Sequence, residues 1–342
     1  MATLLYEIEW GPPLLAPPPS GGYRTELDKL SPWLGTTVAS FSEPIKFSYT
    51  TSRLIGIAYF VTSQENACRY CYGTSRAIMQ IWGYSEKQIT DLEQHATLAD
   101  GVTRKVVEFA RKLAKSNPSP AREDREALIA AGLSPDAASE IAACVAEACL
   151  ANRLATFLAL PPNLSLERVP SSFIGRVMRP IIRKRVVPRR TSPPEAFRNE
   201  GSCASIIAAA GKTPLAAWLR GVTDGCMSSL VIPRRSKGLM LAVIARQLGS
   251  RLCEEETLES LAADGASMED IQTILSTLSS PAMTGVEERL LRWTRETVWY
   301  EPRVIQNSTR RLLSEVGLEI ALEAIGTAAL CNTLARLSLV RQ

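Results

Sequence analysis

Two cysteines separated by two residues, in Cys68-Arg69-Tyr70-Cys71, have the clearest potential for chemistry in this chain. On a helix they lie one turn apart, close enough to form a disulfide, and the free N–H groups at a helix N-terminus favour a thiolate. This pattern predicts Cys68 as the attacking sulfur and Cys71 as the resolving thiol. A structural role or half of a zinc site are the alternatives. Because no second CxxC or CxxH completes four ligands, we expect no metal and no cofactor.

The segment around this pair recurs in altered form later in the chain. Residues 64–71 align with residues 246–253 at an offset of 182, and the second copy keeps only Cys253. Gly56 and Gly238 match at the same offset. We therefore predict a tandem duplication in which the first copy carries the thiol chemistry and the second is degenerate.

The overall composition limits the class of protein. The chain has 342 residues, 46% of them hydrophobic, with a net charge of +4 and eight cysteines. These values predict a soluble two-domain protein that does not bind nucleic acid. The first residues do not resemble a signal peptide, and the apolar run from Leu239 to Ala245 is too short to cross a membrane. We expect a cytoplasmic protein with reduced thiols and no membrane span.

The elements that position the cysteines are predicted to be helices. No alternating apolar pattern with hairpin turns occurs, so the prediction is an all-α fold. The expected helices of the first half are Arg53 to Gln64, Ala67 to Trp82, one opened by a Ser85–Gln88 capping box, Val102 to Lys115, Arg122 to Ala131, and Ser134 to about Leu160.

The distribution of proline, charge and helical pattern predicts four segments. Residues 1–44 are a proline-rich arm, extended over its first 30 residues, and residues 45–162 are the repeat with the dithiol. Residues 163–200 are a basic, proline-rich linker, and residues 201–342 are the degenerate repeat. The linker could meet an acidic membrane or nucleic acid, but a solvated crossover held to carboxylates of the flanking domains is the favoured interpretation.

Other candidate motifs are given ordinary roles. His95, the only histidine, is expected at the surface, and the six cysteines outside the pair are expected to be small core residues. Gly211-Lys212-Thr213 ends like a phosphate loop, but Ile206 stands where the loop needs a glycine, so nucleotide binding is not predicted.

The stretch from Glu65 to Cys71, followed later by the helix that contains Asn152-Arg153, resembles the carboxymuconolactone decarboxylase and alkylhydroperoxidase D superfamily. The second half resembles it independently, through Ile232 to Leu239 and the apolar residues after it. The resemblance covers most of residues 45–160 and 225–340. It implies an all-helical oligomer and, for members with the dithiol, reduction of hydroperoxides by a thiolate.

The superfamily pattern usually includes a glutamate twelve residues before the first cysteine and a histidine four residues after the second. This chain has Gly56 and Ser75 there, and Tyr70 where the best-known members have another histidine. The proton relay of the superfamily is therefore missing, and only the two thiols carry over. Glu65 and Ser75 are the nearest candidates to replace it, with capping or packing as the alternative role for both.

The sequence thus predicts a thiol-dependent peroxidase or disulfide oxidoreductase that uses Cys68 and Cys71, with Ser75 and Glu65 as candidate supporting residues. A hydroperoxide or disulfide would be the substrate and a further protein the reductant, and the protein could be a homo-oligomer. The first alternative is a non-catalytic scaffold that kept the fold and lost the chemistry. The second is an enzyme of the carboxymuconolactone decarboxylase type, which rests on the resemblance alone.

Overall fold

The computed structural model describes residues 7–15, 23–117, 119–120 and 122–341. These residues form 18 α-helices, two short 3₁₀ helices and two strands of two residues each. The predicted all-α fold is confirmed.

The helices follow one another with short connections, as expected for packed helical layers. The helices up to the junction are α1 (Tyr23–Leu30), α2 (Pro32–Ser40), α3 (Ser52–Glu65), α4 (Arg69–Trp82), α5 (Glu86–Gln94), α6 (Gly101–Lys115), α7 (Arg122–Ala130), α8 (Pro135–Phe157), α9 (Leu164–Arg168) and α10 (Phe173–Val186). The later helices are α11 (Ala204–Ile207), α12 (Pro214–Ser228), α13 (Arg234–Leu248), α14 (Arg251–Ala263), α15 (Met268–Thr277), α16 (Gly285–Glu296), α17 (Pro302–Val316) and α18 (Leu318–Leu339).

The helix that carries the dithiol, α4, has well-defined ends. It begins at Arg69, two residues later than predicted, because Cys68 has an extended backbone and acts as the N-cap. Gly83 ends the helix with a φ of 104°, a left-handed conformation that favours glycine. The capping box predicted for the next helix is confirmed, since Ser85 and Gln88 exchange both hydrogen bonds.

The N-terminal arm is more regular than its prolines suggested. The expectation of an extended chain over residues 1–30 is wrong for Tyr23–Leu30, which forms helix α1. Within residues 1–30 the prolines end at Pro19, so no proline ring constrains the backbone of Tyr23–Leu30. Leu27 is fully buried and anchors α1 in the core. Much of the remaining arm, residues 1–6 and 16–22, lies outside the described residues.

The junction returns to the first half of the chain before the second half begins. Strand β2 (Arg189–Arg190) pairs in parallel with β1 (Lys46–Phe47). Arg179 of α10 donates to the carbonyl oxygen of Gln80 at 2.9 Å. Among the described side chains of α10, none forms an ion pair, so the expected pairing of this segment with carboxylates is not what holds it.

The core lies along the two longest helices, α8 and α18, which pack against each other. Helix α18 (Leu318–Leu339) is long and apolar enough to cross a membrane, but 83% of its most apolar window is buried inside the protein. Burial on all sides explains why the helix has no polar face, and it identifies α18 as a core helix. Because α8 belongs to the first half and α18 to the second, the two halves share one hydrophobic core.

Candidate dithiol site

The sulfur of Cys68 caps the helix that it precedes. Ala67 has a φ of 46°, a left-handed conformation that turns the chain sharply between α3 and α4. The turn places Cys68 Sγ 3.4 Å from the backbone N–H of Cys71, which donates to it. This is the position predicted for a thiolate at a helix N-terminus, where free N–H groups favour negative charge.

The pKa of the Cys68 thiol lies below its ordinary value. Burial is the largest influence and opposes ionisation, since Cys68 is fully buried. Hydrogen bonds from the thiol and backbone N–H of Cys71, and from the hydroxyls of Thr156 and Tyr300, outweigh it and stabilise the thiolate. Of the eight cysteines, all within the described residues, only Cys68 has a lowered pKa.

The pKa of the second thiol of the pair, Cys71, is shifted in the opposite direction. Burial, reinforced by the neighbouring Cys68, raises the pKa of the Cys71 thiol well above its ordinary value. Cys71 Sγ lies 3.9 Å from the carbonyl oxygen of Ala151, a backbone acceptor that favours the protonated thiol. Hydrogen bonding therefore favours the thiolate at Cys68 and the protonated thiol at Cys71, and the two sulfurs share a proton between them when one is ionised.

A tyrosine from the second half of the chain completes the surroundings of Cys68. The hydroxyl of Tyr300 is hydrogen-bonded to Thr156 Oγ1 and lies 2.6 Å from the carbonyl oxygen of Asn152. Its single proton is donated to that carbonyl oxygen while Cys68 is a neutral thiol, and to the sulfur when Cys68 is ionised. Thr156 and Asn152 both belong to α8. Tyr300 follows α16, and no motif in the sequence relates it to the cysteines. The dithiol site is thus assembled from both halves.

Buried Arg153 holds the segment that carries Tyr300. Its guanidinium donates to the carbonyl oxygens of Thr297 at 2.5 Å and Val298 at 2.6 Å, and lies 5.1 Å from the centre of the Tyr300 ring. The distance to the ring suits a cation–π contact. Burial, together with the nearby charge of Arg336, lowers the pKa of Arg153 to about 9. The arginine therefore positions Tyr300 and does not itself bond to either sulfur.

The N-terminal arm covers the same site from outside. Trp10 packs against the small cluster formed by Cys68, Cys71 and Ala155, and its indole N–H donates to the carbonyl oxygen of Leu160 at 2.9 Å. This contact gives the arm a role that its composition did not predict, because it shields the sulfurs from water.

A cavity of about 390 Å³ opens beside the second cysteine. Cys71 lies in its wall, whereas Cys68 does not. Most of the wall is apolar. Among the residues that line it are Gly56, Tyr59, Tyr70, Thr74, Ser75, Trp82, Glu147 and Arg185. A cavity of this size and composition suits a small, largely apolar organic molecule.

The missing glutamate of the superfamily pattern has a structural explanation. A Cβ atom placed on Gly56 would lie only 2.0 Å from the ring of Trp82, so no side chain fits at position 56 while the indole is there. Trp82 forms part of the cavity wall, and its indole N–H is buried without a hydrogen-bond partner. The indole therefore occupies the space into which the absent side chain would project.

A carboxyl group that sequence reasoning missed enters the cavity from another helix. Glu147 of α8 lines the cavity and is 8% exposed, and its Oε2 has no hydrogen-bond partner within the described part of the chain. Burial raises its pKa to about 8, so the carboxyl is neutral at neutral pH. Tyr59 is electrostatically coupled to both Glu147 and Cys71, which places the acid and the sulfur at one site. The available signal was a single carboxylate within the apolar run from Ala142 to Ala151.

The two supporting residues predicted from sequence have different locations. Ser75 is buried and lines the cavity on the same helix as Cys71. Glu65 does not line the cavity; it forms an ion pair with Arg111 at 3.2 Å. The structure therefore brings Ser75 and Cys71 together and gives Glu65 a structural partner.

The remaining residues of interest lie as expected. Outside the pair, the six cysteines are buried, and burial raises the pKa of each thiol. His95 is exposed at the end of α5, which confirms its predicted surface position.

A second cavity, of about 440 Å³, lies in the second half of the chain. Part of its wall corresponds to the wall of the first cavity at the offset of 182 residues. In order, Gly56, Thr74, Ser75, Ile78, Met79 and Trp82 of the first wall correspond to Gly238, Glu256, Thr257, Ser260, Leu261 and Asp264 of the second. Its chemistry differs, because Cys253 is fully buried outside this wall and Ser250 replaces the first cysteine.

Comparison of the chain with protein-family models, with curated proteins and with solved structures gave no match.

Proposed function

We propose that the protein is a thiol-dependent oxidoreductase in which Cys68 and Cys71 cycle between dithiol and disulfide. The observation that carries this proposal is the lowered pKa of Cys68, which distinguishes it from the other seven cysteines. A thiol kept only for packing needs no hydrogen bonds to its ionised form, and Cys68 accepts them from the backbone and from hydroxyl groups. An organic hydroperoxide that fits the cavity is the proposed oxidant.

The cavity favours Cys71 as the sulfur that meets this oxidant. Movement of the shared proton to Cys68 leaves a thiolate on Cys71, which is the sulfur in the cavity wall. The opposite order, with Cys68 attacking and Cys71 resolving, stays a prediction from the sequence. Trapping experiments distinguish the two, because only the attacking sulfur is first oxidised to a sulfenic acid.

Glu147 is the proposed proton donor in this step. The Cys71 thiolate attacks the nearer oxygen of the hydroperoxide, the O–O bond breaks, and Glu147 protonates the departing alkoxide, giving a sulfenic acid and an alcohol. Cys68 then loses the shared proton to the Glu147 carboxylate, directly or through water. Attack of the Cys68 thiolate on the Cys71 sulfur breaks its S–O bond and forms the disulfide, and the leaving hydroxide takes the proton back from the Glu147 carboxyl to become water. An external dithiol, itself oxidised to a disulfide, would restore the starting state.

The proposal also accounts for the second half of the chain. We infer that residues 201–342 are a degenerate copy of the alkylhydroperoxidase D-like unit, which is supported by the repeated cavity register and by the shared core. Its contribution to the chemistry would be Tyr300, which supports the Cys68 thiolate.

Mass spectrometry of alkylated protein tests the function. After mild treatment with an organic hydroperoxide, Cys68 and Cys71 should be linked and the other six cysteines should remain free. In Cys68→Ser, a sulfenic-acid reagent should label Cys71. In Cys71→Ser, labelling of Cys68 should be weak, and Cys253→Ser should behave like the unaltered protein.

A non-catalytic scaffold is the second candidate, favoured by the deep burial of both sulfurs, which are 0% and 6% exposed. If both thiols still react with the alkylating reagent after peroxide treatment, with no disulfide formed, the redox proposal is wrong and the scaffold stands.

A further inference from the structure

Helix α10 presents a row of large apolar side chains to solvent. Phe173 is 80% exposed, Val177 62% and Ile181 51%, and they follow one another at the four-residue spacing that puts them on one face. Met178, 38% exposed, lies beside them. Single exposed apolar residues are common on proteins, but four on one helix form a continuous patch that marks an interaction surface.

The orientation of α10 is fixed by contacts on its other side. Gly175 is buried, Ile182 and Val186 are half-buried, and Arg179 donates to the carbonyl oxygen of Gln80 on α4 at 2.9 Å. The helix therefore lies on the body of the protein with its apolar row directed away from it.

Positive charge surrounds the end of this row. Arg183, Lys184 and Arg185 form the last turn of α10 and are exposed, and β2 adds the exposed Arg189 and Arg190. None of these five side chains forms an ion pair among the described residues. Arg190 donates to the carbonyl oxygen of Ser48 at 3.1 Å, but none of the five has a carboxylate partner among the described residues. Cations without carboxylate partners, next to an exposed apolar row, match a surface that offers both negative charge and hydrocarbon.

The charge pattern selects among the candidate partners. A second copy of the chain, docked symmetrically through α10, would cover the apolar row but would supply only more cations, so the positive charge would remain without a partner. Nucleic acid would satisfy the cations but would leave the aliphatic side chains of the row without a partner. A membrane with anionic lipids satisfies both, because its phosphates lie immediately outside its acyl chains.

We propose that α10 docks the protein on the surface of anionic membranes, with Phe173, Val177 and Ile181 entering the acyl boundary and Arg183 and Lys184 contacting phosphate groups. Docking would also place the dithiol cavity beside the lipid, since Arg185, Val186 and Pro188 form part of its wall. An apolar substrate could then enter from the membrane. That consequence depends on the proposed redox function, whereas docking itself does not.

Vesicle flotation with the full-length protein tests the proposal. The protein should float with vesicles of phosphatidylserine and phosphatidylcholine, should bind phosphatidylcholine vesicles much more weakly, and should dissociate as salt is raised. The triple variant Phe173→Ser, Val177→Ser, Ile181→Ser should lose more than about tenfold in partitioning, because each substitution removes a large apolar group from the contact.

Charge variants and matched controls complete the test. Arg183→Gln with Lys184→Gln should weaken binding by about fivefold for each charge removed. Leu230→Ser, at a 94% exposed apolar residue away from α10, should bind like the unaltered protein. Equal binding to neutral and anionic vesicles, or full binding by the triple variant with an unchanged melting curve, would overturn the proposal. So would a concentration-dependent dimer that the triple variant abolishes. Cys68→Ser with Cys71→Ser should retain full vesicle binding, which separates failure of docking from failure of the redox function.

Discussion

The two cavities of this protein share a register and differ in their chemistry. Beside the first, Cys68 caps a helix and has a lowered pKa, and Cys71 faces the cavity. In the second, Ser250 stands at the capping position, and its hydroxyl bonds to Ser338. Burial raises the pKa of Cys253 well above its ordinary value. The same helical framework therefore lowers the pKa of a thiol only where a second thiol and hydroxyl groups surround it.

The long core helices show the same distinction. At an offset of 183 residues, Glu140 of α8 corresponds to Glu323 of α18, and Arg153 corresponds to Arg336. All four side chains form buried hydrogen bonds that connect helices or loops. At the same offset from Glu147 stands Leu330. Buried polar residues with structural partners thus occur in both halves, whereas the one buried carboxyl oxygen that lacks a hydrogen bond among the described residues belongs to Glu147, beside the dithiol.

The largest expected effect comes from separating the two regions. Residues 195–342 expressed alone should aggregate or fold poorly, because α18 and the fully buried run from Leu239 to Ala245 would lose their cover. Exposed apolar surface costs about 25 cal/mol for each Å², which soon exceeds the net stability of a domain. Co-expression with residues 1–169 should restore soluble protein. A monomeric C-terminal half that melts cooperatively would show that the regions are independent.

Paired cysteine substitutions should show the next largest effect. We expect Cys71→Ser to lose at least about 100-fold in hydroperoxide consumption, the scale associated with removal of an attacking nucleophile. Cys253→Ser, at the matching position of the second region, should stay within about twofold of the unaltered protein. Initial rates with an organic hydroperoxide and an excess of small dithiol provide the measurement. Similar losses in both variants, with both folded, would remove the distinction between the regions.

Glu147→Gln should change the pH dependence of stability. The folded state holds this carboxyl neutral up to about pH 8, whereas the unfolded chain ionises it near pH 4.5, so unfolding releases a proton between these values. The free energy of unfolding should therefore fall with rising pH, by up to about 5 kcal/mol at pH 8. Glutamine removes the titrating group, so the two melting curves should converge near pH 5 and separate above it. Parallel curves from pH 5 to pH 8 would contradict the buried acid.

The smallest expected effect concerns the residue that the second half supplies to the first. Tyr300→Phe removes a hydroxyl group that lowers the pKa of Cys68, so that pKa should rise. Loss of one hydrogen bond of about 1 kcal/mol corresponds to an alkylation rate about fivefold lower below the pKa. Tyr70→Phe is the matched control, since Tyr70 lines the cavity and packs against both cysteines, but among the described residues its hydroxyl gives Cys68 no hydrogen bond. Unchanged pH profiles in both variants would show that Tyr300 only covers the site.

Local signals in the sequence were sufficient for the helices and for the dithiol geometry. The cap at Cys68, the left-handed glycine at Gly83 and the capping box at Ser85 each depend on residues within one turn, and the structure has all three. The wrong prediction of an extended chain for Tyr23–Leu30 also has a local reason, because prolines up to Pro19 do not constrain the backbone of residues further along the chain.

The surroundings of the sulfurs could not be predicted in this way. Ser75 was found because it lies one turn beyond Cys71 on the same helix, whereas Glu65 was placed near the site by sequence proximity and instead pairs with Arg111. Glu147 reaches the cavity from α8, and Tyr300 reaches Cys68 from the second half.

The sequence by itself determined the all-α class and the one-turn spacing of Cys68 and Cys71, since backbone preference acts over a few residues. Only the tertiary structure decided which sulfur has the lowered pKa, which one borders a cavity, and which carboxyl group is held neutral. Those properties depend on burial and on hydrogen bonds between residues more than 70 positions apart, such as Cys71 with Ala151 and Cys68 with Tyr300.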